Sequence, residues 1–221
     1  LTEALLFGTV LAGYGLGWLL YSRNRRDINL LLAFSGAFLL SVTLFELLPE
    51  VFESGIDHAG VWIMGGLLLQ IVLDFFSKGA EHGHVHLSDS KAFPIMLLLS
   101  LSVHALVEGF PVADHHHMLW GVMIHKLPIV IILTFFFFKS HYSKLQTGIF
   151  LLLFACMTPL GSYLAKESVF LIDWKNQLNA VAIGIFLHVS TTILFESSRD
   201  HKFNLAKLLT IIIAIVAAYL F

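Results

Sequence analysis

The chain has 221 residues, 57% of them apolar and 13% charged, with a formal net charge of −2. A soluble domain carries about a quarter charged residues, so the composition excludes a water-soluble globular protein and is that of a membrane protein. The near-neutral balance excludes nucleic acid as a partner. A single cysteine, Cys156, excludes an intrachain disulfide and a cysteine-based zinc cluster.

An apolar run of roughly 20 residues crosses a bilayer, and eight such runs are predicted in chain order. The first, about 3–21, is long enough to span and reads as a span rather than a cleavable signal. The second, about 29–51, carries Glu46 and ends in "LLPE" (47–50). The third, about 60–77, holds Asp74 close to its end, where the carboxylate is expected to snorkel into the headgroups. A polar loop, 78–91, follows and contains "EHGHVHLSD", with His82, His84 and His86 in alternation. The fourth run, about 92–113, carries His104, Glu108 and Pro111. "DHHHM" (114–118) makes a tight turn into the fifth run, about 118–138, with His125, Lys126 and Pro128. The sixth, about 147–165, contains "TPLG" (158–161). The seventh, about 177–197, contains "GIFLHV" (184–189), then Thr191, Thr192 and Glu196, and the eighth is about 205–221. The connections are short, so the chain reads as a single transmembrane domain with no room for a separate soluble one.

Topology follows from the basic residues. Of the 13 Lys and Arg, ten lie on one side: Arg23, Arg25, Arg26, Lys78, Lys91, Lys139, Lys144, Arg199, Lys202 and Lys207. Lys166 and Lys175 lie on the other, and Lys126 is inside a span. The positive-inside rule places both termini outside and the loops 22–28, 78–91, 139–146 and 198–204 in the cytoplasm. A faint repeat joins "GAFLLSVTLFE" (36–46) to "GIFLHVSTTILFE" (184–196), two spans that run in opposite directions. Inverted repeats are a feature of secondary transporters; chance likeness between two apolar helices is the other reading.

The chemistry concentrates in spans 4 and 5. His104 and Glu108 are four apart and share one helical face. About a turn centred near residue 115, His104 is 11 residues back and His125 is 10 residues on, so at about 1.5 Å per residue the imidazoles lie at nearly equal depth. Ionisable groups inside a bilayer are costly and mark functional sites. Two nitrogens and a carboxylate oxygen suit a divalent first-row metal such as zinc. The bland alternative is a Glu108–Lys126 ion pair with both histidines hydrogen-bonded. Pro111, Pro128 and Pro159 free carbonyls within their helices, which is tolerated where protein or a water-filled cavity lines the break.

Several peripheral groups join as candidates. Asp114, His115, His116 and His117 sit above the set as a cation entrance, and Glu46, Thr158, His188, Thr191, Thr192 and Glu196 as pathway positions. His82, His84 and His86 form either a metal-receiving loop or a solvated one.

With these motifs in order, the sequence resembles the ZIP-family (Zrt/Irt-like) divalent metal transporters over essentially its whole length, of the kind with His-Lys at the start of helix 5. That resemblance implies an all-α integral membrane protein of eight helices in a 3+2+3 arrangement, with helices 1–3 and 6–8 related by inverted symmetry. It implies that His104, Glu108 and His125 are the transport-site ligands. Many members hold a second ion, through a polar residue after the helix 4 histidine and carboxylates in helices 5 and 6. Here those positions are Ala105, Lys126, Ile129 and Thr158, so the expected site is mononuclear, with the Lys126 ammonium in place of the second ion's charge. Phe38 stands where other members have a further ligand from helix 2.

The cargo implied is Zn²⁺, with Fe²⁺, Mn²⁺ or Cd²⁺ as alternatives; no resident cofactor and no enzymatic activity are expected. Partners are the cation and membrane lipids, with a homodimer open, and the expected location is the plasma membrane, as a bacterial inner membrane. Two rivals remain. An intramembrane zinc hydrolase would use "SLSVH" (100–104), but no span offers His-x-x-x-His. A non-transporting metal sensor would account for the lost second-site carboxylates.

Overall fold

The structure is a computed structural model that describes residues 1–21, 25–77, 93–196 and 205–221, apart from the side chains of 25–27 and 196. Its helices are α1 (Thr2–Leu20), α2 (Arg25–Val42), a π-helical turn (Thr43–Leu47), α3 (Leu48–Glu53), α4 (Ala59–Ser77), α5 (Ile95–Val112), α6 (His116–Lys139), α7 (Lys144–Glu167), α8 (Val169–Ile172), α9 (Lys175–Glu196) and α10 (Leu205–Leu220). No strand occurs among the described residues. Backbone polar groups that meet lipid must be satisfied within their own segment, which a helix does. Seven helices among the described residues are long and apolar enough to cross a membrane, counting Ile28–Glu53 as one. The eighth expected span corresponds to α10, which has 16 residues, about 24 Å of helix against a hydrocarbon core of about 30 Å.

Local signals set the helix ends. Ser143 caps α7: its hydroxyl accepts from the Gln146 amide at 3.2 Å, and the Gln146 side chain accepts from the Ser143 amide at 2.8 Å. Between α2 and α3 the π turn adds a residue to the helical repeat, a device frequent at functional sites, and it carries Glu46.

Glycine sets how closely the helices approach. Without a hydrophobic drive between helices in lipid, small residues let backbones touch. A Cβ on Gly184 of α9 would lie 2.0 Å from the Ile63 carbonyl of α4, and one on Gly66 would lie 2.0 Å from that of Val181. Gly161 of α7 and Gly109 of α5 are as tight, with the Leu106 and Thr158 carbonyls at 2.0 and 2.3 Å. On α1, Gly13 and Gly17 seat against Val130 and Thr134 of α6. Gly161→Ala should therefore destabilise the protein by about 1–3 kcal/mol, whereas Gly15→Ala, which meets nothing within 4 Å, should be neutral. Thermal unfolding in detergent compares the two, and equal melting temperatures would refute the close-packing account.

The main helix pairs are α4–α9, α5–α7, α1–α6, α2–α10, α2–α6, α1–α7, α2–α9, α4–α5 and α5–α9. Exchanging α1 with α7, α2 with α9, α4 with α10 and α5 with α6 maps every one of these except α4–α5 onto a member of the set. The α4–α5 contact lacks a counterpart of similar extent among the described residues. Both chain termini reach the end of the bundle that holds the α5–α6 turn. Glu3 pairs with Lys166 at 3.1 Å, Asp114 with Lys175 at 3.0 Å, and Phe221 packs on His117 and Trp120.

Candidate metal centre

His104 and Glu108 lie one helical turn apart on α5, with His104 Nε2 3.0 Å from Glu108 Oε1. α6 returns beside α5 and brings His125 Nε2 to 3.9 Å from the same oxygen. All three side chains are buried, and their donor atoms lie within 4.8 Å of one another. They form the only such group of three among the described residues. The cavity they share with Leu101, Ile129 and Phe154 has a volume of about 10 Å³, roughly the space of one water-sized particle.

Lys126, next to His125, is buried in the same place. Its Nζ donates to Glu108 Oε2 at 2.8 Å and to Thr158 Oγ1 of α7 at 2.7 Å, and lies 4.8 Å from the centre of the Phe154 ring. The Glu108 carboxylate is thus divided, one oxygen facing the imidazoles and the other holding the ammonium. The contact with Glu108 is the ion pair that the sequence offered as the alternative to a metal site, and the bond to Thr158 ties α7 to it.

A further residue completes the surroundings of His104. Gln70, fully buried on α4, places Oε1 2.9 Å from His104 Nδ1. Its amide nitrogen donates to Asp74 Oδ1 at 3.2 Å, and Asp74 Oδ2 lies 3.4 Å from His188 Nδ1 of α9. Sequence reading passed over Gln70, although a lone amide amid apolar residues, four before an aspartate, is a signal of its own. Asp74, expected near the headgroups, is tied to Gln70 and His188. Ser100, which the hydrolase reading needs near His104, donates its hydroxyl to the Leu73 carbonyl at 2.6 Å.

Residues 77–219 match the model of the ZIP zinc transporter family. The chain belongs to that family. Its members are transporters of divalent metal cations rather than enzymes, and with its apolar helices this ZIP protein is a helical integral membrane protein. No curated protein and no solved structure matches the chain.

The other candidate residues of this ZIP protein lie away from the buried set. At the end with the α5–α6 turn, His117 pairs with Glu46 of the π turn, and His115 Nδ1 lies 3.2 Å from Glu50. His116 packs by its ring on Trp120, and Asp114 is engaged by Lys175. His117 precedes His125 by two helical turns, about 12 Å along the axis. On α9 the Thr191 and Thr192 hydroxyls donate to carbonyls of their own helix, at Leu187 and His188. Phe38 is buried and stacks on Phe34. His82, His84, His86 and the Glu196 side chain lie outside the described residues.

Proposed function

We propose that this ZIP protein moves a single divalent transition-metal cation at a time, zinc foremost, toward the cytoplasm through His104, Glu108 and His125. The observation that carries the reading is the convergence of two imidazole nitrogens and one carboxylate oxygen in the bundle interior, beside a cavity with room for one small particle. Zinc accepts such a donor set, and water or another group completes four-coordination. The ammonium of Lys126 occupies the other side of Glu108, which favours one ion over two. Histidine binds metal as the neutral imidazole, so binding weakens as pH falls.

The cation enters past Asp114, His115, His116, His117 and Glu46, and leaves past His188, Thr191, Thr192 and Glu196, with His82, His84 and His86 beyond. The chain crosses the membrane eight times as a single transport domain, with both termini outside, in a plasma membrane of the bacterial inner type. Two features support an inverted repeat of the first and last three spans: the helix pairing is nearly unchanged by the exchange described above, and residues 36–46 resemble 184–196. Access to the site then alternates between the two faces.

Radioactive zinc uptake into proteoliposomes tests this reading. Saturable uptake by the wild type should be lost in His104→Ala and in His125→Ala, a larger effect than the roughly 10–100-fold cost of altering an outer-shell partner. A folded wild type that binds zinc without moving it would overturn transport in favour of a sensor.

A further inference from the structure

We propose that Gln70 is a positioning residue for the metal centre, fixing the ring of His104 so that Nε2, and not Nδ1, is presented to the cation. The proposal rests on the reading of His104 as a metal ligand. The argument starts at Asp74. An ionised carboxylate only accepts hydrogen bonds, so its Oδ1, 3.2 Å from the Gln70 amide nitrogen, determines which way the amide faces. With the nitrogen turned to Asp74, Oε1 faces His104 Nδ1 at 2.9 Å. An amide oxygen has no proton to give, so Nδ1 carries one and donates it. In the neutral ring, the form that binds a metal, the lone pair is then on Nε2, the atom on the Glu108 side. The 3.0 Å contact to Oε1 is one that a positive centre between the two atoms makes favourable.

Burial makes this restraint strong. Gln70 is fully buried and His104 nearly so, and a buried polar atom without a partner costs about 1–3 kcal/mol. Turning either the amide or the imidazole over breaks one of these bonds. His125 differs: its Nδ1 is buried with no hydrogen-bond partner among the described residues. One imidazole is therefore held in a single tautomer and orientation from a neighbouring helix, while no described residue holds the Nδ1 of the other. Holding the second nitrogen of a ligand histidine is a recurrent way of orienting the ring and raising its basicity toward the metal. Here the holder is an amide anchored on α4, itself tied through Asp74 to His188 on α9.

Replacing Gln70 tests the proposal because positioning and mere packing predict opposite rank orders. Gln70→Glu keeps an acceptor for the Nδ1 proton but sets a carboxylate against Asp74; Gln70→Met keeps the volume and removes the acceptor. If Gln70 positions His104, the Met variant raises the Zn²⁺ dissociation constant and the KM for uptake about 10–100-fold, and the Glu variant remains within a few-fold of wild type. If Gln70 only fills space, the buried Met is tolerated and the Glu variant is the impaired one; that order overturns the proposal. A measurement without any variant stands beside it: ¹⁵N NMR of histidine-labelled wild type loaded with Zn²⁺ should show His104 bound through Nε2 with a proton on Nδ1. Binding through Nδ1 overturns the proposal even should the Met variant fail to fold. Absence of any His104 resonance shifted by Zn²⁺ would instead overturn the metal-site reading itself.

Discussion

Glu108→Gln should abolish zinc uptake and at the same time lower the stability of the protein, for two separable reasons. The carboxylate supplies the one anionic donor of the proposed site, and among the described residues it is also the only charged partner of the buried Lys126, at 2.8 Å. Removing one member of a buried ion pair strands the other and costs about 3–5 kcal/mol. The substituted amide still offers an oxygen to Nζ, so the lower part of that range applies, about 3 kcal/mol, or a melting temperature lower by roughly 6–12 °C in a chain of this size. The double variant Glu108→Gln with Lys126→Met removes the stranded charge and should recover most of the stability, because well-packed apolar groups replace buried ion pairs at little or no cost. It should not recover uptake. Thermal unfolding and uptake on the same preparations separate the effects. A double variant as unstable as the single one would show that Lys126 contributes nothing to the penalty, and one that transports would remove Glu108 from the site.

Lys126→Asp should change how many ions the protein holds. An ammonium about 5 Å from a divalent ion repels it by several kcal/mol at an effective dielectric of about 20, and only the Glu108 charge offsets that repulsion. With a carboxylate in its place, Glu108 Oε2 and Thr158 Oγ1, both now engaged by Nζ, become available beside a new anion. Elemental analysis of purified protein should then find two metal ions per chain instead of one, with tighter binding overall. A ratio that stays at one would mean that Lys126 does not stand in for a second ion. Because an ion held too tightly leaves slowly, the same variant should turn over more slowly at saturating zinc.

Much of the centre is visible in one dimension because its chemistry is local. His104 and Glu108 meet by helical spacing alone, and their observed contact at 3.0 Å requires only that residues 104–108 be helical. His125 is reached by one further step: a tight turn between two helices fixes which residues lie at equal depth, and the short connection between α5 and α6 acts in this way. The membrane environment makes such reasoning effective, since lipid forces the segments to be helices and makes every polar residue within them conspicuous. Lys126 stood out for the same cause.

What the chain could not reveal by itself lies across helices distant in sequence. Gln70 is 34 residues from His104, and no periodicity tells which of the other helices packs against α5, or with which face. That choice is made by backbone approach at glycines: Gly66 and Gly184 bring α4 against α9, and Gly109 and Gly161 bring α5 against α7. The second of these contacts puts Thr158 within reach of Lys126; α4 in turn packs beside α5 and carries Gln70 to His104. Sequence determined the membrane class, the helices, the ZIP resemblance and the local His-Glu pair, because these depend on composition and on spacing within one or two adjacent segments. Tertiary structure alone decided which nitrogen of His104 is held, how the Glu108 carboxylate is divided between imidazole and ammonium, and where Asp74 goes, because those depend on how closely separate helices pack.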